Sequence, residues 1–64
     1  MTVNGEFIEL SSPIDLKTFL ESQGYNINRI AVEINYEIIP KSTYQNVILS
    51  EKDVLEIVSF MGGG

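Results

Sequence analysis

The residues with the most chemical potential in this chain are its last four, Met61, Gly62, Gly63 and Gly64, which follow directly on the apolar segment Val54 to Phe60. Glycine has no side chain to pack, so three in succession cost backbone entropy and bury nothing. What they offer is a thin, flexible arm that ends in an unhindered carboxylate. Such an arm can be threaded into a narrow active site on another protein, because glycine lets foreign backbone and ligand approach closely. Taken alone, the same run is equally compatible with a frayed terminus or a linker scar. The remaining residues must decide between these readings.

Composition narrows the choice. At 64 residues the chain is one domain at most, of a size that buries only about 60% of its unfolded surface. It has no cysteine and no histidine, so a disulfide framework, the usual metal ligands and the usual general base are all missing. An autonomous enzyme is therefore disfavoured, and no metal site is expected. Nine acidic side chains against four basic ones give a net charge of -5, which repels phosphate backbones and anionic membranes. Nucleic acid and membrane are poor partners. No apolar stretch approaches the roughly 18 residues that span a bilayer, and the N-terminal residues lack the order of a signal peptide. The chain reads as cytoplasmic, with a partner that offers basic or apolar surface.

The elements that must position the arm are legible in the pattern. Asn4-Gly5 is the dipeptide best suited to a type I′ turn, whose two central residues both need positive φ. The resulting hairpin sets Val3 against Glu6 and Met1 against Ile8. Met1, Val3, Ile8 and Leu10 then share the core face, while Thr2, Phe7 and Glu9 share the other. Asp15 to Gln23 places Leu16, Phe19, Leu20 and Gln23 at helical spacing. Asp15 is the favoured N-cap, with Ile14 and Phe19 at the positions of a hydrophobic staple, and Ser12 before Pro13 is the competing start. Gly24 fits the position just past the helix, with Tyr25 packing back on Leu20.

Arg29 to Ile34 alternates Ile30, Val32 and Ile34 against Ala31 and Glu33, the period of a half-buried strand. A turn at Asn35-Tyr36-Glu37 leads to a short strand, Ile38-Ile39, stopped by Pro40. Lys41 to Gln45 suits a 3₁₀ turn with Tyr44 over the core, and Tyr25 and Tyr36 are likewise expected at core edges. Glu51-Lys52-Asp53 is a turn. The last strand, Val54 to Phe60, puts Leu55, Ile57 and Ser59 on one face and Val54, Glu56, Val58 and Phe60 on the other. Lys17, Lys41 and Lys52 read as surface charges, and Glu9 and Glu56 as solvated strand residues.

Strand, strand, helix, strand, short strand, strand is an α+β order in which one main helix covers one face of a sheet. An arrangement that satisfies the connections is the ubiquitin-like β-grasp: a single domain over residues 1–64, with a mixed five-stranded sheet, its first and last strands adjacent and parallel, and a glycine tail at 61–64. That pairing is expected to bring Val58 and Phe60 alongside Thr2 and Phe7 on the uncovered face. Phe7, Val58 and Phe60 together beside the arm suggest a docking patch.

A β-grasp of this length, with Ala31-Val32-Glu33-Ile34-Asn35-Tyr36-Glu37-Ile38-Ile39-Pro40 at its centre, Asp53 opening the last strand and glycines at the end, resembles the ThiS sulfur carrier proteins of thiamine biosynthesis. The resemblance covers nearly the whole chain. It implies that a ThiF-like adenylating enzyme uses ATP to activate the Gly64 carboxylate. Sulfur from a donor protein then replaces AMP to leave a thiocarboxylate, and a ThiG-like thiazole synthase takes the sulfur. By the same resemblance the chain is a carrier with no bound cofactor, acted on by enzymes and not itself one. The residue types suit that chemistry. A terminal carboxyl, with a pKa of about 3.3 to 3.7, is fully charged at neutral pH and a poor electrophile, so it must be activated elsewhere. An enzyme closes around the mixed anhydride only where no Cβ obstructs Gly63 and Gly64. The third glycine, Gly62, leaves the chemistry alone and loosens the arm.

Two other functions fit parts of the pattern. The small subunit of molybdopterin synthase shares the fold and the diglycine but usually runs longer. A β-grasp interaction module or protein modifier would use the sheet alone, without sulfur chemistry.

Overall fold

The computed structural model describes residues 1–60; Met61, Gly62, Gly63 and Gly64 lie outside the described residues. Asn4 and Gly5 take positive φ, 51° and 86°, as the type I′ turn demands. Around them β1 (Thr2–Val3) and β2 (Glu6–Phe7) pair antiparallel, with Val3 opposite Glu6 and Thr2 opposite Phe7. The Ile8 N–H donates to the Met1 carbonyl at 2.8 Å, which completes the expected register. Met1 and Val3 are buried, Ile8 and Leu10 pack against the core, and Phe7 and Glu9 face solvent.

The segment β3 (Ile14–Asp15) runs straight into the helix α1 (Leu16–Ser22). Asp15 is the N-cap, its carboxylate accepting from the Thr18 N–H at 2.9 Å, and Ser12 stays outside the helix. Hydrogen bonds from the Thr18 side chain and then its backbone hold the Asp15 carboxyl below its ordinary value. At the other end Gly24 has φ 84°. Its N–H donates to the Glu21 carbonyl at 3.1 Å, and the Tyr25 N–H donates to the Leu20 carbonyl at 3.0 Å. These are the two bonds of a Schellman ending. Leu16, Phe19 and Leu20 are buried, whereas Gln23 is exposed.

A 3₁₀ turn, Ile27–Arg29, precedes β4 (Ile30–Ile34), whose Ile30, Val32 and Ile34 are buried as the alternation requires. The next turn is tighter than expected. Ile34 pairs with Glu37 and Glu33 with Ile38, so only Asn35 and Tyr36 form the loop and Glu37 opens β5 (Glu37–Ile38). Both loop residues are left-handed, at φ 53° and 70°, a second two-residue turn in which tyrosine occupies a place that favours glycine. Tyr36 consequently projects away from the core, 83% exposed, and does not cover a core edge. Tyr44 does, from the 3₁₀ helix Lys41–Asn46, and burial pushes its phenol above the ordinary value. Tyr25 is half-buried against the core.

An additional pairing is absent from the sequence expectation. β6 (Ile48–Leu49) lies antiparallel to β3, with Ile14 opposite Leu49 and Asp15 opposite Ile48, and the Leu16 N–H donates to the Val47 carbonyl at 2.8 Å. Two-residue strands are too short to show an alternation. β7 (Val54–Ser59) ends the described structure.

Among the described residues, five strands form one mixed sheet in the order β2-β1-β7-β4-β5, with β1 and β7 parallel at its centre. This is the β-grasp order. Leu16 and Leu20 of the helix join Val32, Leu55 and Ile57 of the sheet in a single core. The two left-handed asparagines tie the central strand down. The Asn4 amide donates to the Ile57 carbonyl at 3.2 Å and accepts from the Ile57 N–H at 2.7 Å. Asn35 accepts from the Val54 N–H at 3.0 Å and donates to the Asp53 carboxylate at 3.2 Å. Each turn thus adds side-chain bonds to β7 beside the backbone bonds that the Asn4 and Asn35 N–H groups donate to Leu55 and Val54. No helix among the described residues is long and apolar enough to cross a membrane.

Candidate functional site

The sheet face opposite α1 leads to the C-terminal residues, and its layout follows from register. Thr2 pairs with Val54, so the row nearest the start of β7 is Phe7, Thr2 and Val54. Glu33 pairs with both Glu56 and Ile38, which makes the central row Glu56, Glu33 and Ile38. Val58 pairs with Ala31, and beyond it the Phe60 N–H donates to the Arg29 carbonyl at 2.7 Å. Phe60 is therefore held in line with the sheet up to the last described residue.

This layout corrects one expectation. Val58 and Phe60 do not lie alongside Thr2 and Phe7. Val58 is four residues further along β7 than Val54, about 13 Å at 3.3 Å per residue, and two strands away from Phe7. The pattern of alternation gives the face but not the parallel offset between β1 and β7; Phe7 lies on the expected face, at the end of the sheet where β7 starts. Val58, Phe60 and Phe7 are nonetheless all exposed, at 60%, 54% and 74%. Two residues missing from the sequence expectation join them. Ile38, 75% exposed, stands in the central row, and Tyr36 stands at the adjoining turn. The signal for Ile38 was available: a two-residue Asn35-Tyr36 turn pairs Glu33 with Ile38 and so puts both on the open face.

The expected reactive residues Gly64 and Gly63, with Gly62 and Met61 before them, lie outside the described residues. A surface groove of about 400 Å³ is formed by Leu10, Pro13, Ile48 and Leu49 with neighbouring serines and Glu51, and no residue of the five-stranded sheet lines it.

The sheet order and the single covering helix define a β-grasp domain, whose open face leads along the sequence toward a glycine-rich end. The chain matches the ThiS family over residues 1–64, and it belongs to that family. It is 41% identical to a thiazole synthase of Paramagnetospirillum magneticum over 64 residues, all of this chain but only 20% of that protein. The sulfur carrier protein ThiS of Bacillus subtilis is 54% identical over 35 residues, 55% of this chain and 53% of that one. In three dimensions it resembles the thiamine biosynthesis protein ThiS of Geobacter metallireducens, with a TM-score of 0.82 at 24% identity, covering 98% of this chain and 96% of that one. That likeness establishes the fold.

Proposed function

We propose that this protein is a sulfur carrier of thiamine biosynthesis whose reactive group is the Gly64 carboxylate. In this reading a ThiF-like enzyme binds the domain and takes the arm into its site. The carboxylate attacks the α-phosphorus of ATP and pyrophosphate leaves. Sulfur at the sulfide level, supplied by a donor protein, then displaces AMP and leaves a thiocarboxylate for a thiazole synthase to consume. The observation that carries the reading is a ThiS-family domain whose central strand leads through Phe60 directly into Met61-Gly62-Gly63-Gly64. Similarity to one segment of a thiazole synthase supports thiazole synthase as partner and favours this pathway over the molybdopterin one.

The fold contributes position. Val58 and Phe60 are the exposed apolar residues nearest the arm, and docking through them holds Gly64 near the partner's active site, which raises its effective concentration there. Phe7 offers a second contact at the far end of the same face. The chain supplies a substrate group and a docking surface, and the chemistry belongs to the enzymes that act on it.

The test is to delete Gly63 and Gly64. Adenylation, followed as pyrophosphate release with the activating enzyme and ATP, is lost, while the melting curve is unchanged because glycines have no side chain to bury. A truncated chain that unfolds, or that still accepts AMP, would sink the reading.

A further inference from the structure

The chain has five asparagines, and the residue that follows each one governs its covalent stability. An asparagine side chain is open to attack by the backbone nitrogen of the next residue, and a side chain on that residue obstructs the approach. Asn26, Asn28, Asn35 and Asn46 are followed by Ile27, Arg29, Tyr36 and Val47. Asn4 alone is followed by glycine, whose nitrogen is unhindered. Gln23 also precedes a glycine, but its longer side chain would have to close a larger ring. The dipeptide that specifies the first hairpin is thus also the place where backbone and side chain react most readily.

In the folded chain that reaction is held back. Asn4 Oδ1 accepts from the Ile57 N–H at 2.7 Å, and its Nδ2 donates to the Ile57 carbonyl at 3.2 Å. The two bonds fix the amide against β7, and the nitrogen that would have to leave is one of the bonded atoms. Turning the amide onto the Gly5 nitrogen breaks both. The clamp lasts only as long as the pairing beside it. β1 and β2 are two residues each, and β1 meets β7 through Thr2 with Val54 and Val3 with Leu55. A short terminal pairing of this kind opens locally at a lower free energy than the whole domain unfolds.

We propose that Asn4 is a site of spontaneous deamidation gated by the β1–β7 pairing. With the pairing closed, Ile57 holds the amide; with it open, the amide reacts. The Gly5 nitrogen gives its proton to solvent base and bonds to Asn4 Cγ. The Cγ–Nδ2 bond breaks, ammonia leaves, and a succinimide ring remains. Water opens the ring at Cγ to give aspartate, or at the main-chain carbonyl carbon to give isoaspartate. The sum is one water consumed and one ammonia released, with no electron transferred.

Neither product rebuilds the clamp. A carboxylate at position 4 still accepts from the Ile57 N–H, but it has no hydrogen to donate and sets an anionic oxygen against the Ile57 carbonyl. Isoaspartate also adds a methylene to the main chain of a two-residue turn. The change is one-way: a chain that has opened and reacted closes with a weaker β1–β7 junction. The proposal is independent of the sulfur chemistry, and each stands or falls without the other.

The test incubates the full chain in mildly alkaline buffer, with and without denaturing urea, and follows it by peptide mapping with isoaspartate-specific enzymatic methylation as the probe. In urea, conversion should appear at Asn4 ahead of the other asparagines. In buffer it should be at least about tenfold slower, because reaction follows the population of the open form. Ile57→Ala, which weakens β7 and leaves Asn4-Gly5 intact, should react faster in buffer than the native chain. Asn4→Asp, the analogue of one product, should melt below the native protein. Equal rates with and without urea, or no acceleration in Ile57→Ala, would show that the fold does not gate the site. Earlier reaction at another asparagine, or native melting in Asn4→Asp, would equally overturn the proposal.

Discussion

The two faces of β7 were built from the same strand and follow opposite rules. Inward, Leu55 and Ile57 close a core with Val32 and the helix residues Leu16 and Leu20, and every choice is explained by burial. Outward, Glu56, Val58 and Phe60 are all exposed, and burial within the chain explains none of them. A face that served only solubility would carry mixed charges. This one instead exposes Ile38, Val58 and Phe60, apolar side chains that no described residue covers.

The contrast is broken most forcefully by truncating each side in turn. Ile57→Ala removes buried methylenes from the core and should cost about 2 to 5 kcal/mol, a large part of what holds so small a domain together. Val58→Ala, one residue on and facing out, should change stability by less than about 0.5 kcal/mol. Urea unfolding of both variants measures the difference directly. Equal losses would show that the outward face packs within the chain.

The two left-handed turns sharpen the contrast on a smaller scale. Asn4-Gly5 and Asn35-Tyr36 share a geometry, and each asparagine ties its turn to β7. They differ in the second residue, where glycine adopts positive φ freely and Tyr36 adopts it at a steric cost. Tyr36→Gly should therefore raise stability by up to about 1 kcal/mol, because the lost side chain is exposed and the strain is relieved. A fall in stability would mean that Tyr36 packs usefully. A rise accompanied by weaker partner binding would extend the docking face to the turn.

Much of this architecture is legible in local chemistry. Asn4-Gly5 specifies its hairpin, Asp15 and Gly24 bound the helix, and the alternations around Val32 and Ile57 give the buried face, each because the signal lies within a few residues. What escapes is set by contacts between distant segments. The β3–β6 pairing joins two-residue strands with no period to read, and the offset of β1 against β7 decides where Phe7 stands relative to Val58. Tyr36 escapes for another reason: at positive φ it is an exception to the preference from which turns are read. The site was legible in part. The outward position of Val58 and Phe60 follows from alternation, whereas the opposition of Glu33 and Glu56 exists only once β4 and β7 are in register.

The central claim is that sulfur is carried on Gly64, and intact mass measures it. Incubated with the activating enzyme, ATP and a sulfide source, the full chain should gain the mass difference between one sulfur and one oxygen, and fragmentation should place that gain on the terminal glycine. An unchanged mass under conditions in which the enzyme converts another carrier, or a gain located on any other residue, would contradict it.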